Sequence, residues 1–453
     1  MRRIAITLAL VAVAASFPPG CRTSAPPPRV AEQLDALFAD LYARGLFEGA
    51  VVVSGREGVL FEEGYGYADA ARQAPFTSGT AADGGSLAKT FSAALLIALH
   101  DEGVLDLDDA AQKYLPELPY PDVTLRHLLS HSSGLALDYD YFDAHLARDQ
   151  VRTTETLLQV IAAQKPPLAS AAGTAFEYSS FGYDLAALAA ARAAGTTYGA
   201  LVAERFFRPL GLSSAFLRPG RLADFPGIRT LGYRGSGERR ELHEVFDFEA
   251  FHGGSNIYLS ARDLDRWNRS FFAAKDVQRP ATIGSARSGL TLGSWYRAGD
   301  SFWYSGHLQA FHNEVFRDAA RQESIVYVSN NTMEPWLQKA IVRAVRAVLH
   351  GEEVRPLVAP AVAAVAKEER GALAGRWLLP NGKAVVIGSA GSRIHVEHDG
   401  VAYRIVPMSP AMFYVPGLDW LLATSGPPAD PHSRLYVATN VDETWARRVT
   451  AGR

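Results

Sequence analysis

The chain reads as an α/β (α+β) protein. A mixed, mainly antiparallel sheet is expected from its N- and C-terminal segments, with a helical insertion between them and a small all-β domain at the C-terminal end. Three observations lead to that reading. Apolar, β-branched runs occupy Ala50 to Val53 and Val59 to Phe61, and comparable runs return at Phe302 to Phe316 and Glu323 to Ser329. Between them, Pro121 to Ala194 is alanine-rich and mostly helical in pattern. Beyond Gly351 a Pro/Ala-rich linker gives way to short strands at Val385 to Ile387, Arg393 to Val396 and Val401 to Val406, with Asp399-Gly400 as a hairpin signal.

At 453 residues the chain is long enough for several parts, each with a buried core. Residues 1–21 read as a signal peptide: Met1-Arg2-Arg3 is its basic start, and Ile4 to Ala15 is an apolar run too short to span a bilayer comfortably. Gly20-Cys21 resembles the end of a bacterial lipoprotein signal. The expected product is therefore an exported protein of the periplasm or cell envelope, tethered to the membrane through a lipidated Cys21. Cleavage nearer Ala12-Val13-Ala14 would leave Cys21 a free thiol instead. Residues 22–30, with Pro26-Pro27-Pro28, form a stiff tether. The main domain takes residues 31–351, the linker 352–369 and the β domain 370–453.

Within the main domain, Leu34, Leu37, Phe38 and Leu41 repeat at helical spacing, closed by Gly45. The strands at Ala50 and Val59 follow, joined by a turn from Ser54-Gly55 to Gly58. Asp106, Asp108 and Asp109 read as caps for the segment Ala110 to Tyr114. Gly253-Gly254 turns into a helix capped by Ser260, and Pro335 opens a helix with Ile341, Ala344, Val345 and Val348 on one face.

Formal net charge is only −3 and no basic block occurs, which argues against nucleic acid as a partner. One cysteine excludes an internal disulfide framework and a multi-cysteine metal site. No His-Glu-x-x-His, P-loop or dinucleotide fingerprint is present, so neither a metal nor a cofactor is expected.

The stretch Gly84-Gly85-Ser86-Leu87-Ala88-Lys89 carries the chemistry. It opens a run, Thr90 to Leu99, that is apolar on every side and so predicts a buried helix, closed by Gly103 as a left-handed cap. Three positions apart, Ser86 and Lys89 share one side of the first turn. The helix start favours negative charge on Ser86, and an apolar setting favours a neutral amine on Lys89. Ser86 is thus a candidate nucleophile and Lys89 its activator.

Two further pieces stand downstream: Glu177-Tyr178-Ser179-Ser180, and Tyr304-Ser305-Gly306 followed by Ala310-Phe311. With Ser86-Leu87-Ala88-Lys89 they resemble the three motifs of the serine β-lactamase and penicillin-binding-protein superfamily, nearest its class C-like branch of D-amino-acid peptidases and esterases. Val123 to Leu135 also looks like a recurrent stretch of that branch, with His127 and His131 read as scaffold. The resemblance covers roughly residues 31–351. It implies that Ser86 is acylated, that Lys89 is its hydrogen-bonded base, and that Tyr178 shuttles a proton to the leaving group; whether Lys89 or Tyr178 takes the first proton stays open. It places the backbone N–H groups of Ser86 and His307 as an oxyanion hole, with Ser180, Tyr304, Ser305 and Gly306 facing substrate.

Two positions depart from the pattern. Ser180 replaces asparagine, and Tyr304 replaces the usual cation. Without that cation a substrate carboxylate loses its charged partner, which favours esters or amides over β-lactams and D-Ala-D-Ala termini. The expected function is an exported serine hydrolase acting on a small-molecule or peptide ester or amide. The alternatives are a β-lactamase or D-Ala-D-Ala carboxypeptidase, and a non-catalytic envelope binding protein that keeps the fold.

Overall fold

The computed structural model describes residues 28–449 apart from 138, 148, 228, 236–239, 244–248, 273–290, 299, 355–356, 358–372, 380–383, 391–392, 399–400, 410–411, 416–419, 426–433 and 439–442. The expected signal peptide with Cys21, most of the tether and of the linker, and the Asp399-Gly400 turn lie outside the described residues.

Helix α1 (Pro28–Ala43) precedes the hairpin β1 (Gly49–Gly55) and β2 (Gly58–Tyr65). The helices that build the site follow: α2 (Ala88–Asp101), α3 (Leu125–Leu129), α4 (Thr154–Gln164), α5 (Ser180–Ala194) and α6 (Ala261–Ser270). The chain then returns to the sheet with β3 (Tyr296–Ala298), β4 (Ser301–Leu308), β5 (Phe311–Asp318) and β6 (Glu323–Ser329), and closes on α7 (Pro335–Leu349). The six strands lie in the order β3-β4-β5-β6-β1-β2, and every pairing is antiparallel. The N- and C-terminal segments meet where Gly49 pairs with Ser329 and Val53 with Ile325.

Strand alternation with both faces covered explains the apolar run Ala50 to Val53 in β1. Val51 and Val53 bury against Leu34 and Phe38 of α1 and Leu337, Ile341 and Val345 of α7, while Ala50 and Val52 face the helical insertion. On that second side α2 is the central rod. Eleven of its residues are buried, which is what the missing polar face implied, and Gly103 beyond it takes φ +72°. Phe91 of α2 stacks on Trp267 of α6 with ring centroids 3.8 Å apart, and the indole N–H donates to Thr90 Oγ1 at 3.0 Å. Ser260 caps α6 by accepting from the Asp263 N–H, as its position suggested.

Two expectations change. The run Phe302 to Phe316, read as one strand, is a hairpin: Gln309 adopts φ +52°, and Leu308 pairs with Phe311 across a two-residue turn. Nothing in Gln-Ala advertises a turn, so the apolar pattern runs through it. The three aspartates do not cap the 3₁₀ turn Ala111–Lys113, whose N-cap Ala110 has no side-chain bond. Asp108 instead pairs with Arg126 and Asp109 with Lys113 and Tyr114.

Residues from Gly375 to Arg448 build a separate nine-stranded antiparallel sheet in which the first strand pairs with the last. Trp377, Ile387, Phe413, Leu422 and Val437 fill its own core. Among the described residues no single helix is long and apolar enough to cross a membrane.

The α2–α6 contact carries a stability prediction. Phe91 is fully buried, so Phe91→Ala should lower unfolding stability by about 3–5 kcal/mol, read as a shift in the urea midpoint. A midpoint within about 1 kcal/mol of the parent would show that the stack adds little beyond what its neighbours supply.

Candidate active site

The site begins with the turn before α2. The Gly84 N–H donates to the Ile257 carbonyl at 2.8 Å, and the Gly85 N–H to Asp83 Oδ1 at 2.8 Å. Gly85 takes φ +53°, which carries the chain into a 3₁₀ turn, Gly85–Leu87, continuous with α2. Strand β4 closes over this turn. A Cβ on Gly306 would lie 2.0 Å from the Gly84 carbonyl oxygen, so only glycine permits the approach.

Lys89, one turn into the helix, has no solvent exposure. Its Nζ donates to Ser86 Oγ at 3.1 Å, Ser180 Oγ at 3.0 Å and the Gly254 carbonyl at 2.7 Å. The carbonyl can only accept, and the two hydroxyls can each take another proton. The surroundings therefore match the three donors of an ammonium. Ser86 Oγ lies 2.8 Å from the Tyr178 hydroxyl, and Lys89 Nζ stands 4.9 Å from the centre of the Tyr178 ring. Burial of the phenol oxygen pushes its pKa up, but the Lys89 charge, with hydrogen bonding to Ser86 and Tyr304, more than offsets this and holds Tyr178 below the usual tyrosine range. Tyr178 is nevertheless 37% exposed, so the group is reachable from outside.

The expected substrate-facing residues divide. Ser180, at the start of α5, is committed to Lys89. Tyr304 is buried, stacks on Tyr296 with centroids 5.9 Å apart, and hydrogen-bonds Tyr178. Ser305 was expected to face substrate, but its hydroxyl donates to Glu314 at 2.6 Å, because β4 alternates and Ser305 points to the opposite face from Tyr304. Burial pushes that Glu314 carboxyl up to about 7, against the pull of Lys339 and Ser305.

The His307 ring also turns from the site, holding Gln338 of α7 at 3.0 Å and stacking on His312; burial pushes its pKa down to about 4. Its backbone behaves differently. Leu308 and Phe311 close the hairpin and His307 faces His312 one step away, so alternation of the ladder directs the His307 N–H from β5 toward the Gly85–Ser86 turn. A Cβ on Gly85 would meet that nitrogen at 2.8 Å.

Sequence reasoning missed three contributors. Gly254 supplies the third Lys89 acceptor, and its own N–H is held by Asp184 Oδ1 at 2.7 Å. Burial pushes the Asp184 carboxyl up to about 7, with the Gly254 N–H and Lys89 pulling the other way. His131, read as scaffold, stacks on the Tyr178 ring with centroids 4.5 Å apart. The paired glycines were the one usable signal, since glycine pairs mark close backbone approaches.

Comparison with known proteins identifies the family and the fold. Residues 34–349 match the Beta-lactamase family model. Penicillin-binding protein 4* of Bacillus subtilis (strain 168) is 22% identical over 417 residues, covering 85% of this chain and 92% of its own length. Among solved structures, the octameric penicillin-binding protein homologue from Pyrococcus abyssi superposes with TM-score 0.62 at 16% identity, over 92% of this chain and 99% of that one. D-amino acid amidase from Ochrobactrum anthropi SV3, solved with L-phenylalanine, gives TM-score 0.57 at 19% identity, over 71% of this chain and 99% of its own.

The β4 contact generates a test. Gly306→Ala should slow labelling of the protein by a fluorophosphonate about tenfold or more, because the new methyl displaces the strand from the Ser86 turn. Unchanged labelling would mean that the turn tolerates the strand moving away.

Proposed function

Because the chain belongs to the β-lactamase family of serine hydrolases, we propose that it hydrolyses an ester or amide through an acyl-enzyme on Ser86, and that the substrate carries no free carboxylate at the position facing Tyr304. The observation that supports this reading is the chain of contacts from Lys89 through Ser86 to Tyr178. The Lys89 nitrogen beside the phenol lowers the pKa of Tyr178 and so favours its phenolate. Tyr178 takes the Ser86 proton as Oγ attacks the acyl carbon, and the backbone N–H groups of Ser86 and His307 receive the developing oxyanion. Tyr178 then passes the proton to the leaving oxygen or nitrogen. Water then adds to the acyl-enzyme by the same route, giving a proton to Tyr178, which hands it to Ser86 Oγ as the acid leaves.

Substrate choice follows from Tyr304. A buried phenol stands where this family usually carries a cation, and a charge-assisted bond to a carboxylate is worth about 1.5–3 kcal/mol. Esters and uncharged amides forgo less than β-lactams do. Export, with a lipid on Cys21, is proposed from the N-terminal sequence; metabolic palmitate labelling lost in Cys21→Ala checks it.

A fluorophosphonate adduct located by mass spectrometry should sit on Ser86 and vanish in Ser86→Ala; an adduct elsewhere overturns the mechanism. Turnover of a p-nitrophenyl ester should exceed that of a chromogenic cephalosporin. Faster cephalosporin hydrolysis overturns the substrate reading, and an ester rate unchanged by Lys89→Ala favours a non-catalytic binding protein.

Tyr304 also sets a pH prediction. Tyr178 works as phenolate, so kcat/KM falls as pH drops through its pKa. Removing the Tyr304 donor raises that pKa, so in Tyr304→Phe the acid limb should move to higher pH. A limb that stays in place, or moves down, contradicts the assignment.

A further inference from the structure

We infer that His131 is the positioning residue for Tyr178, clamping three consecutive residues of the segment that carries the phenol. The assignment rests on the proposed role of Tyr178 as proton carrier.

His131 lies just beyond α3, 1% exposed, with φ +53°, a backbone setting that side chains rarely adopt. From there it makes a contact to each of residues 177, 178 and 179. Its carbonyl accepts from the Glu177 N–H at 2.7 Å. Its ring lies over the Tyr178 ring, centroids 4.5 Å apart and planes 28° from parallel. Its Nδ1 accepts from the Ser179 N–H at 3.1 Å. A backbone N–H only donates, so Nδ1 bears no proton and the imidazole is neutral with its hydrogen on Nε2. On its other sides the ring packs against Phe176 at 5.3 Å and Tyr183 at 5.0 Å, both fixed on the same stretch of chain.

This clamp matters because of where Tyr178 sits. The residue after it, Ser179, is the N-cap of α5 and accepts from the Gly182 N–H. Tyr178 itself is outside the helix, in a loop, and more than a third exposed. Helix geometry therefore does not fix its ring. What fixes the ring plane is the imidazole on one side and the Lys89 nitrogen near its face. The phenol oxygen must stay within hydrogen-bond reach of Ser86 for proton transfer, and a misplacement of about 1 Å can cost a hundredfold in rate. The left-handed backbone at His131 is then the local strain that aims the ring at the loop.

The test is a double-mutant cycle on ester hydrolysis, with His131→Ala, Tyr178→Phe and the pair. His131→Ala should lower kcat about tenfold to a hundredfold with KM within about threefold. In the Tyr178→Phe background the same change should lower the residual rate by less than about threefold, because no phenol remains to be aimed. A merely structural histidine would cost the same factor in both backgrounds, and that result overturns the proposal. His131→Asn tolerates the left-handed backbone and keeps an acceptor for the Ser179 N–H but has no ring. It should recover part of the rate, and it replaces the alanine variant in the cycle if that variant does not fold. A His131→Asn enzyme as fast as the parent also overturns the ring's role. If Tyr178→Phe by itself retains the parent rate, the proton-carrier reading fails and this inference with it. If Tyr178→Phe is inactive while both His131 variants match the parent, the clamp alone is wrong.

Discussion

A lysine nitrogen sealed from water is the constraint around which the rest of the molecule is arranged. An ammonium without exposure is costly unless each donor finds an acceptor. Lys89 finds one on Ser86 in its own helix turn, one on Ser180 at the start of another helix, and one on the Gly254 carbonyl. Those partners are distant in sequence, so the insertion helices and the Gly253-Gly254 loop must dock together before the charge is accommodated. Asp184 completes the arrangement by holding the Gly254 N–H, so a buried carboxyl and a buried lysine nitrogen hold the same residue by its N–H and its carbonyl. Stability and reactivity are thus coupled: the groups that make the charge tolerable are the groups that surround the nucleophile.

The same network settles how charge is distributed over the phenols. Tyr178 lies in the field of Lys89 and hydrogen-bonds Ser86 and Tyr304, and it is held below the ordinary range. Burial together with the neighbouring Tyr178 pushes Tyr304 well above that range, so it remains a donor. Two tyrosines in contact are thus driven in opposite directions, Tyr178 down by Lys89 and Tyr304 up by burial and by Tyr178, which is how a single side-chain type supplies both a base and a neutral hydrogen-bond donor. Replacing the usual cation by Tyr304 therefore changes the outer, substrate-holding side of the site more than the Lys89 side.

What could be read in the chain alone was whatever depends on neighbours in sequence. The α2 helix was visible because its run lacks a polar face, Ser86 and Lys89 because three residues make one turn, and β1 and β6 because each has an apolar, β-branched centre. The closing of the sheet by N- and C-terminal strands followed from where those runs fall. Contacts that depend on tertiary approach were not visible. Gly254 stands 165 positions from Lys89, and His131 is 47 positions ahead of Tyr178, with nothing local to mark either link. The β4–β5 hairpin hid because a glutamine supplies the left-handed turn residue. Ser305 was assigned to substrate by motif, whereas strand alternation sends its hydroxyl to Glu314.

The central claim is that the Lys89 charge governs the ionisation of Tyr178. The direct measurement is an NMR titration of protein labelled at tyrosine Cζ, with the Tyr178 signal identified by its loss in Tyr178→Phe. The account predicts that this signal ionises below the ordinary tyrosine value of about 10, and that Lys89→Met moves it upward because burial then loses its largest opponent. A Tyr178 signal that titrates at or above about 10 in the parent, or that Lys89→Met leaves in place, would contradict it.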